Sequence, residues 1–361
     1  MGLFKGKGII FLLVLAAGAY FLLGRSGGCN VADVVKKFSE SGYNFNPAEF
    51  NKASVYEGLE DDAGKNPLPE AVSLLRSAPD RLNQGQQGSC VAWSCAYSAQ
   101  TILTAAATGA DPNSIRFSPS YLYNQIKLDG CQGSYLQRAM EAMSRNGGVP
   151  LSQYPYNDQD CDRDPRSLYS AGRQNVIHGF TRITNGDNIN EISVRGIKEH
   201  LAKNAPVAIG MMVGQSFMQD MMGQELWTPQ GMDESQMGMG GHAMTVIGYD
   251  DRKFGGAFQI MNSWGPEWGQ NGVAWVRYGD FKNYVREAYG IDPLPKRSNV
   301  ANIPLECAIG LVNNEDKQNI TLRTAGGNLF ETVSPIKVGT RFKMSIENAT
   351  ECYIYVFGQE V

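Results

Sequence analysis

The chain has 361 residues, 42% of them apolar, enough for two or three folded units at roughly 100–200 residues each. Its 32 basic and 36 acidic residues leave a formal charge of −4, which gives no electrostatic case for a nucleic-acid partner. With only three histidines (His178, His200 and His242) and neither His-x-x-x-His nor Cys-x-x-Cys spacing, the sequence points to no metal centre and no cofactor.

At the N-terminus, Lys5 and Lys7 precede an apolar run from Gly8 to Gly24, and Arg25 follows. The run exceeds most signal-peptide cores, roughly 7–15 residues, and sits at the short end of spanning helices, roughly 17–25. It reads as an uncleaved membrane anchor or as a cleaved signal. A lipoprotein site at Ser26-Gly27-Gly28-Cys29 lacks the usual aliphatic residue three positions earlier. Either main reading makes the membrane a partner of residues 1–28 and puts the rest of the chain, anchored or secreted, outside the cytoplasm.

Residues 29–75 are polar and broken by Asn46-Pro47, Asn66-Pro67 and Leu68-Pro69, as in a linker or short pro-segment, with one modest helix expected near Val31–Ser39. Residues 76–294 mix helix, strand and turn signals. The Pro-Leu-Pro-Lys-Arg stretch at 293–297 opens a tail, 295–361, expected to be a small all-β domain. There Phe342, Met344 and Ile346 alternate with polar residues at strand period, and Cys352–Phe357 reads as a further strand.

Chemistry concentrates in three places. In Asn83-Gln84-Gly85-Gln86-Gln87-Gly88-Ser89-Cys90, a polar glycine-rich loop runs into Val91, Cys95, Ala99, Ile102 and Ala106 at helical spacing. A helix is expected to start at Ser89 or Cys90 and to bury one face. The Cys90 thiol would then sit at the lip of the loop, where the helix dipole favours thiolate. Cys95, a turn further on, reads as a buried core thiol. The second place is Gly240-Gly241-His242-Ala243, opening a strand-like run, and the third is Asn262-Ser263-Trp264-Gly265, closing another. A hairpin about a turn centred near residue 252 sets His242 opposite Asn262 on one face. An asparagine oxygen there would accept the imidazole Nδ1–H and leave Nε2 for a nucleophile. The competing reading is a satisfied polar pair at a strand end.

Taken together, Gln84…Cys90, Gly241-His242-Ala243 and Asn262-Ser263-Trp264-Gly265 resemble the papain-like cysteine peptidases, in a bacterial-type branch with a short pre-segment. Phe117-Ser118-Pro119, Gly130-Cys131-Gln132-Gly133, Asn146-Gly147-Gly148 and Tyr154-Pro155-Tyr156 extend the likeness in order across residues 76–290. The resemblance implies an α+β fold of two lobes, one helical and one β-barrel-like. It implies Cys90 as nucleophile, His242 as base, Asn262 as the group orienting that base, Gln84 as oxyanion donor and Trp264 as a shield over the triad. Gly210 and Ala243 fall near the family's main specificity pocket. Gln87 stands where many members have a disulfide cysteine, which leaves Cys161 as the replacement partner for Cys131. The implied function is peptide-bond hydrolysis on a polypeptide substrate by a cysteine endopeptidase. The alternatives are an acyl transferase using the same triad, and a weak or inactive surface-displayed binding module on the same fold. The β tail is a possible dock for another protein.

Overall fold

The computed structural model describes residues 42–58, 67–186, 188–233, 239–294, 307–326 and 329–348. The chain divides into two compact units, Met1–Leu294 and Pro295–Val361.

Among its described residues the first unit contains ten strands: β1 (Ala71–Ser73), β2 (Phe180–Arg182), β3 (Thr184–Asn185), β4 (Asn188–Ile192), β5 (Val207–Val213), β6 (Leu226–Trp227), β7 (Gly240–Asp250), β8 (Ala257–Met261), β9 (Val273–Arg277) and β10 (Val285–Ile291). Eight of them form one sheet in the order β2-β10-β5-β7-β8-β9-β6, with β1 paired to the far end of β7; β3 and β4 pair separately. β5 reads Val-Ala-Ile-Gly-Met-Met-Val and is buried along nearly its whole length, as a strand covered on both faces must be. One apolar core includes Ile209, Met211, Met244, Val246, Phe258 and Trp264. A second includes Cys90, Cys95, Ala208, Ala243 and Tyr289, together with Leu122, Leu136 and Met140 of the helices Pro119–Ile126 and Leu136–Asn146. The α+β architecture of a helical lobe beside a sheet lobe is therefore present, as expected.

The helix expected from Cys90 is a continuous run: an α turn Cys90–Ala92, a π segment Trp93–Gln100 and an α-helix Thr101–Thr108. It does not bury one face only. Every residue of the π segment is buried, because Trp93 and Tyr97 enter the first core while Val91, Cys95 and Ala99 enter the second. A helix wedged between two cores needs no polar face.

Two expectations about the N-terminal part change. A short helix spans Pro47–Phe50, capped by the Asn46 side chain, which accepts from the Ala48 N–H at 2.9 Å. Asn-Pro, read from sequence as a break, is here an N-cap followed by proline at the first helical position. The segment Val31–Ser39 lies outside the described residues. The membrane anchor and membrane partnership are also corrected: among the described residues no helix is long and apolar enough to cross a membrane, and the Gly8–Gly24 run lies outside them.

The second unit holds β11 (Cys307–Asn313), β12 (Asn319–Ile320), β13 (Leu322–Gly326), β14 (Leu329–Thr332) and β15 (Phe342–Asn348). They form a three-stranded sheet, β12-β11-β15, and a hairpin, β13-β14. The alternating strand of the tail is β15; its Phe342 and Met344 remain exposed among the described residues. The Cys352–Phe357 strand lies outside them.

Candidate active site

Cys90 begins the central helical run, with Ser89 as its N-cap residue. The thiol is fully buried, and its Sγ accepts the Ala243 backbone N–H at 3.4 Å. That bond ties the helix start to β7 one residue after His242. The sequence placed this thiol at an accessible lip, as a thiolate. In the structure burial pushes it up to about 12, against the weaker opposing pull of the backbone N–H groups of Ala243, Val91 and Cys90. Desolvation of the anion outweighs the helix terminus once water is gone.

His242 lies on β7 and Asn262 directly follows β8. The ladder pairs Thr245 with Met261, so Asn262 falls opposite Met244 and diagonal to His242. The register expected from sequence was therefore two residues off. An even slip preserves the face, and a diagonal neighbour remains within reach of a long side chain. Asn262 Oδ1 lies 2.7 Å from His242 Nε2 and also accepts the Ser263 backbone N–H at 2.7 Å. A backbone donor needs an oxygen opposite it, which fixes the amide orientation and places the proton of this contact on Nε2. The expected use of the two ring nitrogens is thus reversed: Nε2 faces the amide, and Nδ1 is the other nitrogen. Trp264 stacks on the imidazole, with ring centroids 4.2 Å apart and planes inclined by 23°.

Gln84 is buried and held on several sides. Its N–H donates to the Ser263 carbonyl at 2.8 Å, and its own carbonyl accepts from the Tyr156 hydroxyl at 2.6 Å. The Ser263 hydroxyl donates to Oε1 at 2.7 Å, which directs Nε2 toward the Gln87 carbonyl at 3.0 Å. The loop that carries Gln84 and the loop that carries Asn262 are in this way one hydrogen-bonded body. Cys131 and Cys161 form a disulfide, with Cα atoms 6.3 Å apart. Cys90 and Cys95 are both free, buried thiols.

Residues 42–44 form a strap that packs against Gly88, two residues before Cys90, and Gly241, next to His242. Asn44 N donates to the Ser134 carbonyl at 3.0 Å, and Ser134 N donates to the Gly42 carbonyl at 2.8 Å. Gly42 has φ +85, and a Cβ on it would fall 1.9 Å from the Gly88 carbonyl oxygen, so only glycine passes there. Tyr43 packs against Gly210 and Gly241: a Cβ on either would come within 2.1 and 2.6 Å of Tyr43 atoms. The Tyr43 hydroxyl donates to Glu287 Oε1 at 2.8 Å. Beyond the strap, Phe50 meets Tyr289 edge-on at 5.3 Å, and Arg182 donates to Asn51 Oδ1 at 2.6 Å. Sequence reasoning missed Tyr43, Ser134 and Glu287. No motif marks them, since their meeting depends on contacts across 91 to 244 positions.

Gly210 and Ala243, placed near a pocket by resemblance, are directly paired across β5 and β7, and Gly210 pairs on its other side with Glu287 of β10.

Comparison with known proteins agrees with this layout. Mouse cathepsin K is 28% identical over 195 residues, which covers 53% of this chain and 54% of that protein. Cysteine proteinase 3 of Entamoeba histolytica is 26% identical over 209 residues, or 56% of this chain and 61% of that one. The chain thus spans a little over half the length of these curated relatives. Among solved structures, xylellain, a cysteine protease from Xylella fastidiosa, superposes with a TM-score of 0.59 at 21% identity over 71% of this chain and 97% of that one. Digestive procathepsin L 3 from Tenebrio molitor larval midgut gives 0.54 at 20% identity, over 71% and 77%. These two likenesses are of fold. The family model for papain family cysteine proteases matches residues 77–291, well over half of the 361, and with the fold and the order of motifs this shows that the chain belongs to the papain family of cysteine proteases.

Proposed function

We propose that this chain is a cysteine endopeptidase that hydrolyses polypeptides through Cys90, His242 and Asn262, with Gln84 as an oxyanion donor. The observation that carries the reading is the 2.7 Å contact of His242 Nε2 with Asn262 Oδ1, on a strand whose next residue donates to the Cys90 sulfur. With Nε2–H held by the amide, Nδ1 takes the thiol proton. The thiolate attacks the carbonyl carbon, and the negative charge on its oxygen is met by a Gln84 Nε2 proton and a backbone N–H at the helix start. The imidazolium gives its proton to the leaving amine. Water, deprotonated by the same nitrogen, then releases the acyl group and regenerates the thiol. Trp264 over the imidazole keeps water from the His242–Asn262 bond, which supports its role as the shield.

Residues 29–75 act as a short pro-segment whose described part, from Gly42, covers the site; the full burial of the Cys90 thiol supports this. A disulfide at Cys131–Cys161 supports work in an oxidising, extracytoplasmic compartment. The test is labelling of the full chain with an epoxide of the type that alkylates papain-like enzymes, alongside peptide hydrolysis. Labelling should fall once, on Cys90, slowly in wild type and faster once the strap is released, and Cys90→Ala should show neither labelling nor turnover in either form. Full turnover by Cys90→Ala overturns the assignment.

A further inference from the structure

The glycine-rich loop that carries Gln84 has no disulfide of its own, since Gln87 stands where many papain-like members have the cysteine. The segment Tyr156-Asn157-Asp158 holds it instead. The Tyr156 hydroxyl donates to the Gln84 carbonyl at 2.6 Å, Asp158 Oδ2 accepts from the Gln86 N–H at 3.2 Å, and the Asn157 carbonyl accepts from Gln87 Nε2 at 3.4 Å. That segment is anchored in turn: the Asn157 N–H donates to Ser120 Oγ at 3.3 Å, and Cys161, just beyond Asp158, closes the disulfide to Cys131. Of these contacts the one from Tyr156 reaches furthest. Its hydroxyl also lies 2.8 Å from Ser89 Oγ. A phenol has one proton and a carbonyl only accepts, so in this second bond Ser89 is the donor. Ser89 is the N-cap residue of the helical run at Cys90, yet its side chain makes no capping bond. A serine at that place ordinarily accepts from a helix N–H; here the hydroxyl is committed to Tyr156. The Tyr156 ring stands edge-on to Trp93 of the same run, with centroids 4.8 Å apart. Burial raises the phenol to about 12, so it keeps its proton at neutral pH.

We propose that Tyr156 is a positioning residue for the oxyanion donors: its hydroxyl bridges the Gln84 backbone and the Ser89 side chain, and so sets the Gln84 amide relative to the Cys90 N–H. This rests on the oxyanion reading of Gln84 given above. The two donors sit on different elements, a loop and a helix start. The chain between them includes Gly85, at φ +63, and Gly88, and glycines do not hold a distance by themselves. Two donors that meet one oxygen have to be held closely, because a misplacement of about 1 Å can cost roughly 10²-fold in rate. Tyr156 transfers no proton and acts only through Gln84 and Ser89. Phenylalanine in its place keeps a ring against Trp93 but loses both ends of the bridge, at two residues that are themselves buried.

The test is a double-mutant cycle in the full chain, with Tyr43→Ala in every member to release the strap and rates referred to epoxide-titrated Cys90. Tyr156→Phe should lower kcat for a peptide amide about ten-fold with KM within about two-fold, a part of the roughly 10²–10³ that Gln84→Ala costs. In the Gln84→Ala background the same change should lower kcat by less than about two-fold, because the group it positions is gone. A role in stability alone, or one exerted through the thiol, would cost the same whether Gln84 is present or absent. Should Tyr156→Phe misfold, Ser89→Ala removes the other end of the bridge, and its loss should shrink in the Gln84→Ala background in the same way. Equal losses in the two backgrounds, or a Tyr156→Phe kcat within about two-fold of its parent, overturn the proposal. Gln84→Ala without loss would instead refute the oxyanion reading of Gln84, and this proposal with it.

Discussion

Replacing Tyr43 by alanine should unlock Cys90. In the resting chain the thiol has no access to solvent, and Tyr43, 5% exposed, is the side chain that fastens the strap over the pocket beside it. Burying an aromatic side chain of this kind contributes about 1.5–3 kcal/mol, and its hydrogen bond to Glu287 about 1 kcal/mol more. The loss of about 2.5–4 kcal/mol from strap docking raises the open population by about two to three orders of magnitude, at 1.4 kcal/mol per decade. The backbone bonds between residues 42–44 and Ser134 remain, so the change is one of population and not a loss of fold. The assay is the second-order rate of epoxide labelling at neutral pH, with the modified residue located by mass spectrometry. The variant should react about a hundred-fold faster or more, at Cys90 and not at Cys95, until opening ceases to limit the rate. Readmitted water should also bring the Cys90 thiol down from its raised value, and the pH midpoint of labelling should fall with it. Labelling rates equal within two-fold would refute the reasoning, because the strap would then not be what excludes the reagent.

Other substitutions report on the site itself. Gln84→Ala should lower turnover by about 10²–10³, and Asn262→Ala should cost less than His242→Ala, since it orients the base without carrying the proton; steady-state kinetics on strap-released protein measures both. Stability should carry two opposed pH dependences in the acid range. Burial raises Glu287 to about 7, so its contribution is fully present below the usual carboxylate range and is lost as pH climbs toward 7. Tyr43 and Tyr289 face that carboxyl, with Arg286 and Cys95 nearby. Burial lowers His200 to about 4, so its contribution is present above pH 6.5 and is lost as pH falls toward 4. Denaturant midpoints between pH 4 and 7 should therefore vary less with pH in wild type than in either Glu287→Gln or His200→Gln, and the two variants should slope in opposite directions. Replacing Cys131 and Cys161 together by alanine should cost about 3 kcal/mol through the loop their bond closes, read as a lower thermal midpoint.

How much of this could be read in advance varied with the range of the interaction. The start of the helix at Cys90, the strand at Gly240 and the end of the next strand at Asn262 are local patterns, carried by glycines, helical spacing and short apolar runs. The meeting of His242 with Asn262 also follows from local means, since a hairpin brings together residues equally far from its turn. Its register does not. Beside the turn, where Asp250 pairs with Ala257, the ladder is three residues off the expected register; the β-bulge between Val246 and Gly248 takes one back, and the even slip that remains keeps both side chains on one face. The choice of ring nitrogen was beyond sequence for a similar reason: it depends on the Ser263 N–H that orients the Asn262 amide.

By itself the sequence determined the place of Cys90 at a helix start, the two elements bearing His242 and Asn262 and the general architecture, because each rests on chain neighbours. Only the tertiary structure decided the state of the thiol, the all-round burial of the central helix and the pairing of Tyr43 with Glu287. Burial belongs to whatever packs on a group from elsewhere. The charge preference of Cys90 changes sign when packing from distant parts of the chain removes its water, and nothing in the local sequence around Cys90 encodes that packing. Gly210 makes the same point: in the sequence it is one small residue in an apolar strand, and in the fold its missing side chain is the space that a tyrosine fills.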